Sequence, residues 1–231
     1  MIELQSFLNG QQEVYDRFRR LEADVKTLGT TPPKTAESRD GYLIILKHPA
    51  EIVERCSDFS GRISHVVPAM AYSGMAVHTT LGVVGMMYRA PEDQGIDSGA
   101  VSLLENALHS VSSDFSSMVI PYQGWLYNRE STIAQGIAGK EFVHVADKVH
   151  DALQRYDAAQ IGKVQQPWGG HITMSRFLET TPAHELFDFF SLVAREPTLP
   201  PSVPEAVCLG YISVKNGLVD LQIQASFDLR K

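Results

Sequence analysis

The chain has 231 residues, is 44% hydrophobic and carries a formal net charge of −7. That is enough apolar material for a substantial core, built as one large domain or as two lobes sharing a site. The acid excess argues against wrapping long DNA or RNA, which needs clustered Lys and Arg, but leaves open a small phosphorylated ligand in a local pocket.

Residues 2–27 read as a helix, with Phe7, Val14, Phe18, Leu21 and Val25 at helical spacing. "GTTPPKTAESRDG" (29–41) breaks it, and residues 1–40 are expected to form an N-terminal helical extension. "YLIILKHP" is a buried strand stopped by Pro49, and "AEIVERCSDFSGRI" a short helix. "AMAYSGMAVHTTLGVVGMMY" (69–88) is one long β-type run whose Gly74, Gly82 and Gly85 predict bulges or close backbone approach. After the loop "RAPEDQGIDSG", Ser98 is placed to cap the helix "GAVSLLENALHSVSSDF". "SMVIPYQGWLYNRESTIAQGIAG" predicts one or two strands turning near Asn128. "KEFVHVADKVHDALQRYDAAQ" (140–160) is helical, "GKVQQPWGG" a loop and "HITMSRFLE" a strand. Thr181 is placed to cap "PAHELFDFFSLVARE", with Pro182 at its first position. After a Pro-rich connector, "VCLGYISVKNGLVDLQIQASFDL" closes the chain as a hairpin turning at Asn216-Gly217. This mixture, with a hairpin, is α+β rather than a regular βαβ repeat.

The N-terminus lacks a basic stretch followed by an apolar one, and no apolar run approaches the ~20 residues of a membrane span. A cytoplasmic protein is therefore expected, with Cys56 and Cys208 as reduced, buried thiols, although the sequence leaves their pairing open. No G-x-G-x-x-G, H-E-x-x-H, zinc-type Cys/His cluster or nucleophile elbow occurs. "GIAGKE" fails as a P-loop, because its glycines are too close and no Ser or Thr follows Lys140. No metal or other cofactor is expected.

Two strands carry the same polar pair. In "MAVHTTLGVVGMM" (75–87), His78 is followed at i+2 by Thr80; in "GGHITMSRF" (169–177), His171 is followed by Thr173. Residues i and i+2 of a strand share a face, so each strand offers an imidazole and a hydroxyl together. An imidazole titrates near neutrality, and a Thr hydroxyl donates to a phosphate oxygen. Two such pairs facing each other supply a base on one side of phosphorus and an acid on the other, as in-line displacement requires.

The pairs His78-Thr79-Thr80-Leu81 and His171-Ile172-Thr173-Met174 resemble the duplicated H-x-[ST]-apolar signature of the 2H phosphoesterase superfamily, which includes 2′–5′ RNA ligase-like proteins and cyclic nucleotide phosphodiesterases. The resemblance covers roughly residues 41–229. It implies a bilobal α+β domain over 41–231: two pseudo-symmetric lobes whose antiparallel sheets line a central cleft, with helices outside. It also implies metal-independent hydrolysis of 2′,3′-cyclic or 2′–5′ phosphodiesters in a nucleotide or short RNA end. His78 and His171 would be the acid and base, and Thr80 and Thr173 the phosphate ligands. Arg176 is a weaker substrate-binding candidate, because strict alternation puts it on the face opposite His171. Trp168, Tyr127 and Trp125 are candidates for stacking a base, and Tyr122, Arg129 and Lys163 for neutralising phosphate. Since both motifs follow Gly41, residues 1–40 are expected to be dispensable for the chemistry. The alternatives are a nucleotide-binding module without turnover, and ligation by the reverse reaction. The sequence is silent on oligomeric state.

Overall fold

The computed structural model describes residues 2–34, 37–156 and 158–230. Met1, Thr35, Ala36, Asp157 and Lys231 lie outside the described residues, three of them within the predicted loop 29–41 and helix 140–160. In chain order the first half contains α1 (Leu4–Leu28), β1 (Arg39–Lys47), α2 (Ala50–Val66), β2 (Ala69–Ala71), β3 (His78–Tyr88) and α3 (Ser98–His109). The second half contains β4 (Tyr122–Tyr127), β5 (Ser131–Gly136), α4 (Lys140–Leu153), α5 (Ala158–Ile161), β6 (Val164–Gln165), β7 (Ile172–Phe177), α6 (Phe187–Arg195), β8 (Ala206–Lys215) and β9 (Leu218–Asp228). Among the described residues no helix is long and apolar enough to cross a membrane.

The strands form one curled antiparallel sheet in the order β4-β5-β7-β3-β1-β8-β9, with β2 added to β7 and β6 to β3. Alternation along β1 shows how the sheet divides its faces. Ile44 and Leu46 enter the main core with Ile52, Phe59 and Ile63 of α2, Leu104 of α3, Phe142 and Val149 of α4, and Phe189 of α6. Leu43 and Ile45 point the other way, into a smaller cluster with Cys208 and Ile212. Cys56 and Cys208 are both buried and unpaired, one in each cluster. The β8–β9 hairpin turns at Asn216-Gly217, where both residues have positive φ (52° and 74°), the geometry of a two-residue turn matched to strand twist.

Several local expectations are corrected. The run 69–88 is two strands, because a short turn at Gly74–Ala76, with Gly74 at φ 53°, separates β2 from β3. Asp97 rather than Ser98 caps α3, its carboxylate accepting from the N–H groups of Gly99 and Ala100. Thr181 caps nothing: its N–H goes to the Thr30 hydroxyl and its carbonyl accepts from the Thr30 N–H, so it is tied to the chain leaving α1, and α6 starts later at Phe187. The loop 162–170 contains the two-residue strand β6.

The boundary between 40 and 41 falls inside β1, whose first residue is Arg39. Helix α1 lies over the β4–β5 half of the sheet, where its buried Tyr15 and Phe18 meet Leu126 and Ile133. Ile133 pairs with Thr173, so α1 covers the face that carries the second motif's hydroxyl. Removing the Phe18 ring would leave a cavity under this helix. Phe18→Ala should lower stability by about 3–5 kcal/mol, the usual cost of truncating a buried Phe, read from urea unfolding midpoints.

Candidate active site

Strands β3 and β7 touch at one residue pair, Thr79 opposite Ile172. These are the middle residues of the two His-x-Thr triplets. Continuing the antiparallel register carries His78 toward Thr173 and Thr80 toward His171, so the motifs are related by a local two-fold centred on that pair. Both strands then bulge at the same place. The β1–β3 register skips Leu81, between Thr80 and Gly82, and the β5–β7 register skips Met174, between Thr173 and Ser175. Each extra residue stands three positions after the histidine and re-aims the side chains beyond it. His78, Thr80 and Val83 of β3 therefore face one cleft together with Thr173 and Arg176 of β7 and with His171 just before it. The expectation that Arg176 lies opposite His171 is thus overturned: strict alternation fails at the Met174 bulge.

The cleft has a volume of about 430 Å³, within the range of small-ligand sites. Besides the motif residues it is lined by Trp168, Gln165 and Gln166, and by Arg39, Tyr72 and Tyr88, three residues that sequence reasoning missed. None belongs to a motif, and Arg39 falls within the predicted extension. The Arg176 Nε donates to the Tyr72 hydroxyl at 3.0 Å.

The two imidazoles are held differently. His78 Nδ1 lies 2.8 Å from the Ala76 carbonyl, so it carries the proton and Nε2 is left as the acceptor. His171 Nδ1 is buried without a hydrogen-bond partner among the described residues. Its ring is fixed instead by stacking on Trp168, with centroids 3.7 Å apart and planes at 15°. Trp168 is gripped in turn by α1: Tyr15 meets its ring edge-on, and Phe18 stacks at 6.4 Å. The same helix holds the backbone before His171. Gln11 Oε1 accepts from the N–H groups of Ala138 and Gly170, and the Tyr15 hydroxyl donates to the Gly136 carbonyl. The Gly-Gly pair ahead of His171 makes room for this. A Cβ on Gly169 would lie 3.1 Å from the Gln11 side chain, and Gly136 and Gly170 approach so closely that a Cβ on Gly136 would sit 2.0 Å from the Gly170 carbonyl oxygen.

Behind the cleft, buried His48 bridges the Ser202 hydroxyl (2.8 Å) and the Thr79 hydroxyl (3.0 Å), bracing the residue between His78 and Thr80. Its spacing in the sequence gave no sign of this. The remaining predicted ligands fall elsewhere. Tyr122 and Tyr127 are buried in the main core, Tyr127 edge-on against Phe189. Trp125 packs on Phe59 and donates to the Glu196 carbonyl. Arg129 donates to the Gly29 carbonyl at the end of α1, and Lys163 lines a different depression beside Gly85. Strands β4 and β5 put these aromatics on the helix side because the cleft face there is taken by α1. Trp168 does line the cleft, but His171 occupies its face, so that face is closed to a nucleobase.

Burial pushes His171 down to about 3, helped by the charge of Arg176 and by His78, against the nearby Gly169 carbonyl. Burial likewise pushes His78 to about 4; the Ala76 carbonyl opposes this and Arg176 adds to it. His48 falls to about 3, first by burial and then by His78. All three are neutral at pH 7. Among the described residues no three His, Cys, Asp or Glu side chains are grouped to hold a metal ion.

Solved structures share this architecture. The chain is similar to a conserved protein of unknown function from Agrobacterium tumefaciens, ATU0111, with TM-score 0.58 and 13% identity, over 89% of this chain and 98% of that one. It is similar to TT0787 of Thermus thermophilus, with TM-score 0.55 and 16% identity, over 83% and 98%. E. coli LigT in complex with 3′-AMP matches with TM-score 0.51 and 14% identity, over 84% and 99%. No family profile and no curated protein sequence matches. The chain has the fold of the 2H phosphoesterases, an α+β curled antiparallel sheet with flanking helices.

The three depressed imidazoles make stability acid-sensitive. The unfolded chain binds their protons near pH 6.5, whereas the folded chain does so only near 4 and 3. Between these limits the unfolded state holds more protons, so stability falls as pH is lowered through this window. Urea midpoints should decline from about pH 6.5 toward 4, and the slope should be shallower in His171→Asn.

Proposed function

We propose that this chain is a metal-independent phosphodiesterase acting on 2′,3′-cyclic or 2′–5′ phosphodiesters of a nucleotide or short RNA end. The observation that carries the reading is that both His-x-Thr pairs, 93 residues apart in the chain, line one cleft around a local two-fold with Arg176 beside them. The fold likeness to LigT, a protein crystallised with 3′-AMP, supports a nucleotide-sized ligand.

In this mechanism the phosphate sits between the two pairs, its non-bridging oxygens accepting from the Thr80 and Thr173 hydroxyls and from Arg176. One imidazole takes a proton from water through its free nitrogen as the water oxygen bonds to phosphorus. The bond from phosphorus to the ribose oxygen breaks on the opposite side, and the second imidazole protonates that oxygen. The proton gained by the first histidine and lost by the second then exchanges with solvent, which resets the pair. Both imidazoles are neutral in the empty cleft at pH 7, so the acid must gain its proton with the substrate. The phosphate anion favours the imidazolium and raises its pKa.

His78→Ala and His171→Ala should each lower kcat by about two to four orders of magnitude in ³¹P NMR assays of 2′,3′-cyclic nucleotides, cyclic-phosphate RNA ends and 2′–5′ oligoadenylates. The double variant should be far less than multiplicatively worse, because the groups act as a unit. Thr80→Val and Thr173→Val should cost roughly 1–3 kcal/mol each. Turnover should persist in EDTA; loss restored by zinc or manganese would mean that the histidines are ligands. If both His→Ala variants keep wild-type kcat on a verified substrate, the reading fails.

The pH profiles carry a further expectation. The alkaline limb of kcat/KM, which reports the free cleft, should lie below the ordinary imidazole value of about 6.5. The limb of kcat, which reports the bound complex, should lie at higher pH. Limbs that coincide would show that the phosphate does not recharge the acid.

A further inference from the structure

We propose that the cleft takes two phosphoryl groups of one ligand: one at the His-x-Thr pairs, and a second at Arg39. The inference rests on the phosphodiesterase reading for the position of the first group. The starting observation is an imbalance of charge. In a chain with 27 acidic and 20 basic side chains, the described residues that line the cleft include Arg39 and Arg176 but no Asp or Glu. The Arg39 side chain makes no hydrogen bond or ion pair among the described residues, and its Nε is buried without a partner. The two guanidiniums are near enough to oppose each other: burial first, and then Arg176, hold Arg39 below its ordinary pKa, while Tyr72 and Tyr88 act against this.

Burying part of a cation with its Nε unpartnered is costly, and no Asp or Glu among the described residues that line the cleft offsets it. A single phosphodiester carries one negative charge. That is less than the two arginines supply, and the imidazolium formed when the phosphate binds widens the excess of positive charge. Arg176 bears electrostatically on both histidines and on Arg39, and both arginines line the cleft. Arg176 therefore serves the phosphate between the motifs, and Arg39 lies next to it as a second anchor. Its planar fork is suited to paired hydrogen bonds with phosphate oxygens. The second group is either a phosphomonoester on the same nucleotide or the neighbouring diester of a strand.

Isothermal titration calorimetry with three non-cyclic ligands separates these cases. The ligands are adenosine 3′-monophosphate, adenosine 3′,5′-bisphosphate, and an adenine dinucleotide ending in a 3′-phosphate. Wild type should bind at least one of the two-phosphate ligands about tenfold more tightly than the monophosphate, as expected for one added charge-assisted contact. The preferred ligand then identifies the source of the second group. In Arg39→Gln the preference should fall to within about threefold, and Arg39→Lys should keep part of it. Wild type binding all three ligands equally, or none of them, overturns the proposal, and so does a preference that survives in a folded Arg39→Gln variant. Turnover of 2′,3′-cyclic nucleotides, cyclic-phosphate RNA ends and 2′–5′ oligoadenylates is measured in parallel. A two-phosphate preference without turnover would remove the phosphodiesterase reading and leave the two-anion cleft standing.

Discussion

One backbone pairing, Thr79 opposite Ile172, joins the two halves of the sheet and sets the geometry of the cleft. Because strand side chains alternate, anchoring these middle residues in the core turns the histidines and threonines on either side of them outward together. The core side of this pairing is strongly determined. Ile172 is fully buried among apolar residues, and the Thr79 hydroxyl is satisfied by His48, which is itself held by Ser202. A one-residue slip of either strand would bury its imidazole and motif hydroxyl and turn its core side chains outward, so the register that builds the core also builds the site.

The bulges at Leu81 and Met174 extend the same two-fold by one more residue. They bring Val83 on one strand and Arg176 on the other to equivalent positions. The symmetry is one of backbone and not of charge: the cation stands on the β7 side alone, and Arg39 enters from β1. The cleft is thus polarised although its scaffold is nearly symmetric. In an acidic protein, two arginines in a cleft with no Asp or Glu among the described residues that line it produce a local field opposite to the net charge, and a narrow, partly desolvated site strengthens it.

Helix α1 shows how a segment without motif residues positions the cleft. Gln11, Tyr15 and Phe18 touch no predicted catalytic group, yet they hold Gly170 and Trp168, and Trp168 holds His171. His78 is positioned by a short-range hydrogen bond to Ala76, two residues away, whereas His171 is held through Gln11, Tyr15 and Phe18 of α1, more than 150 positions away in the chain. The glycines before His171 are the sequence trace of this contact, since a side chain at Gly169 would crowd Gln11 and Tyr15 of α1.

The sequence by itself determined most of the elements, the α+β class, the hairpin at Asn216-Gly217 and the four motif residues. These arise from short-range regularities: the two strand and helix periods, the turn chemistry of Asn-Gly, and an i, i+2 pair that must share a face. Only the tertiary structure decided the facing of Arg176, because a bulge depends on which residue of the neighbouring strand is skipped. The same is true of Tyr122 and Tyr127, whose strand faces were settled by where α1 packs. Arg39 and His48 were invisible for a related reason. Each becomes significant only through a partner brought near by sheet pairing, Arg176 for one and Thr79 for the other, and no local spacing encodes contacts made across 137 and 31 positions of chain.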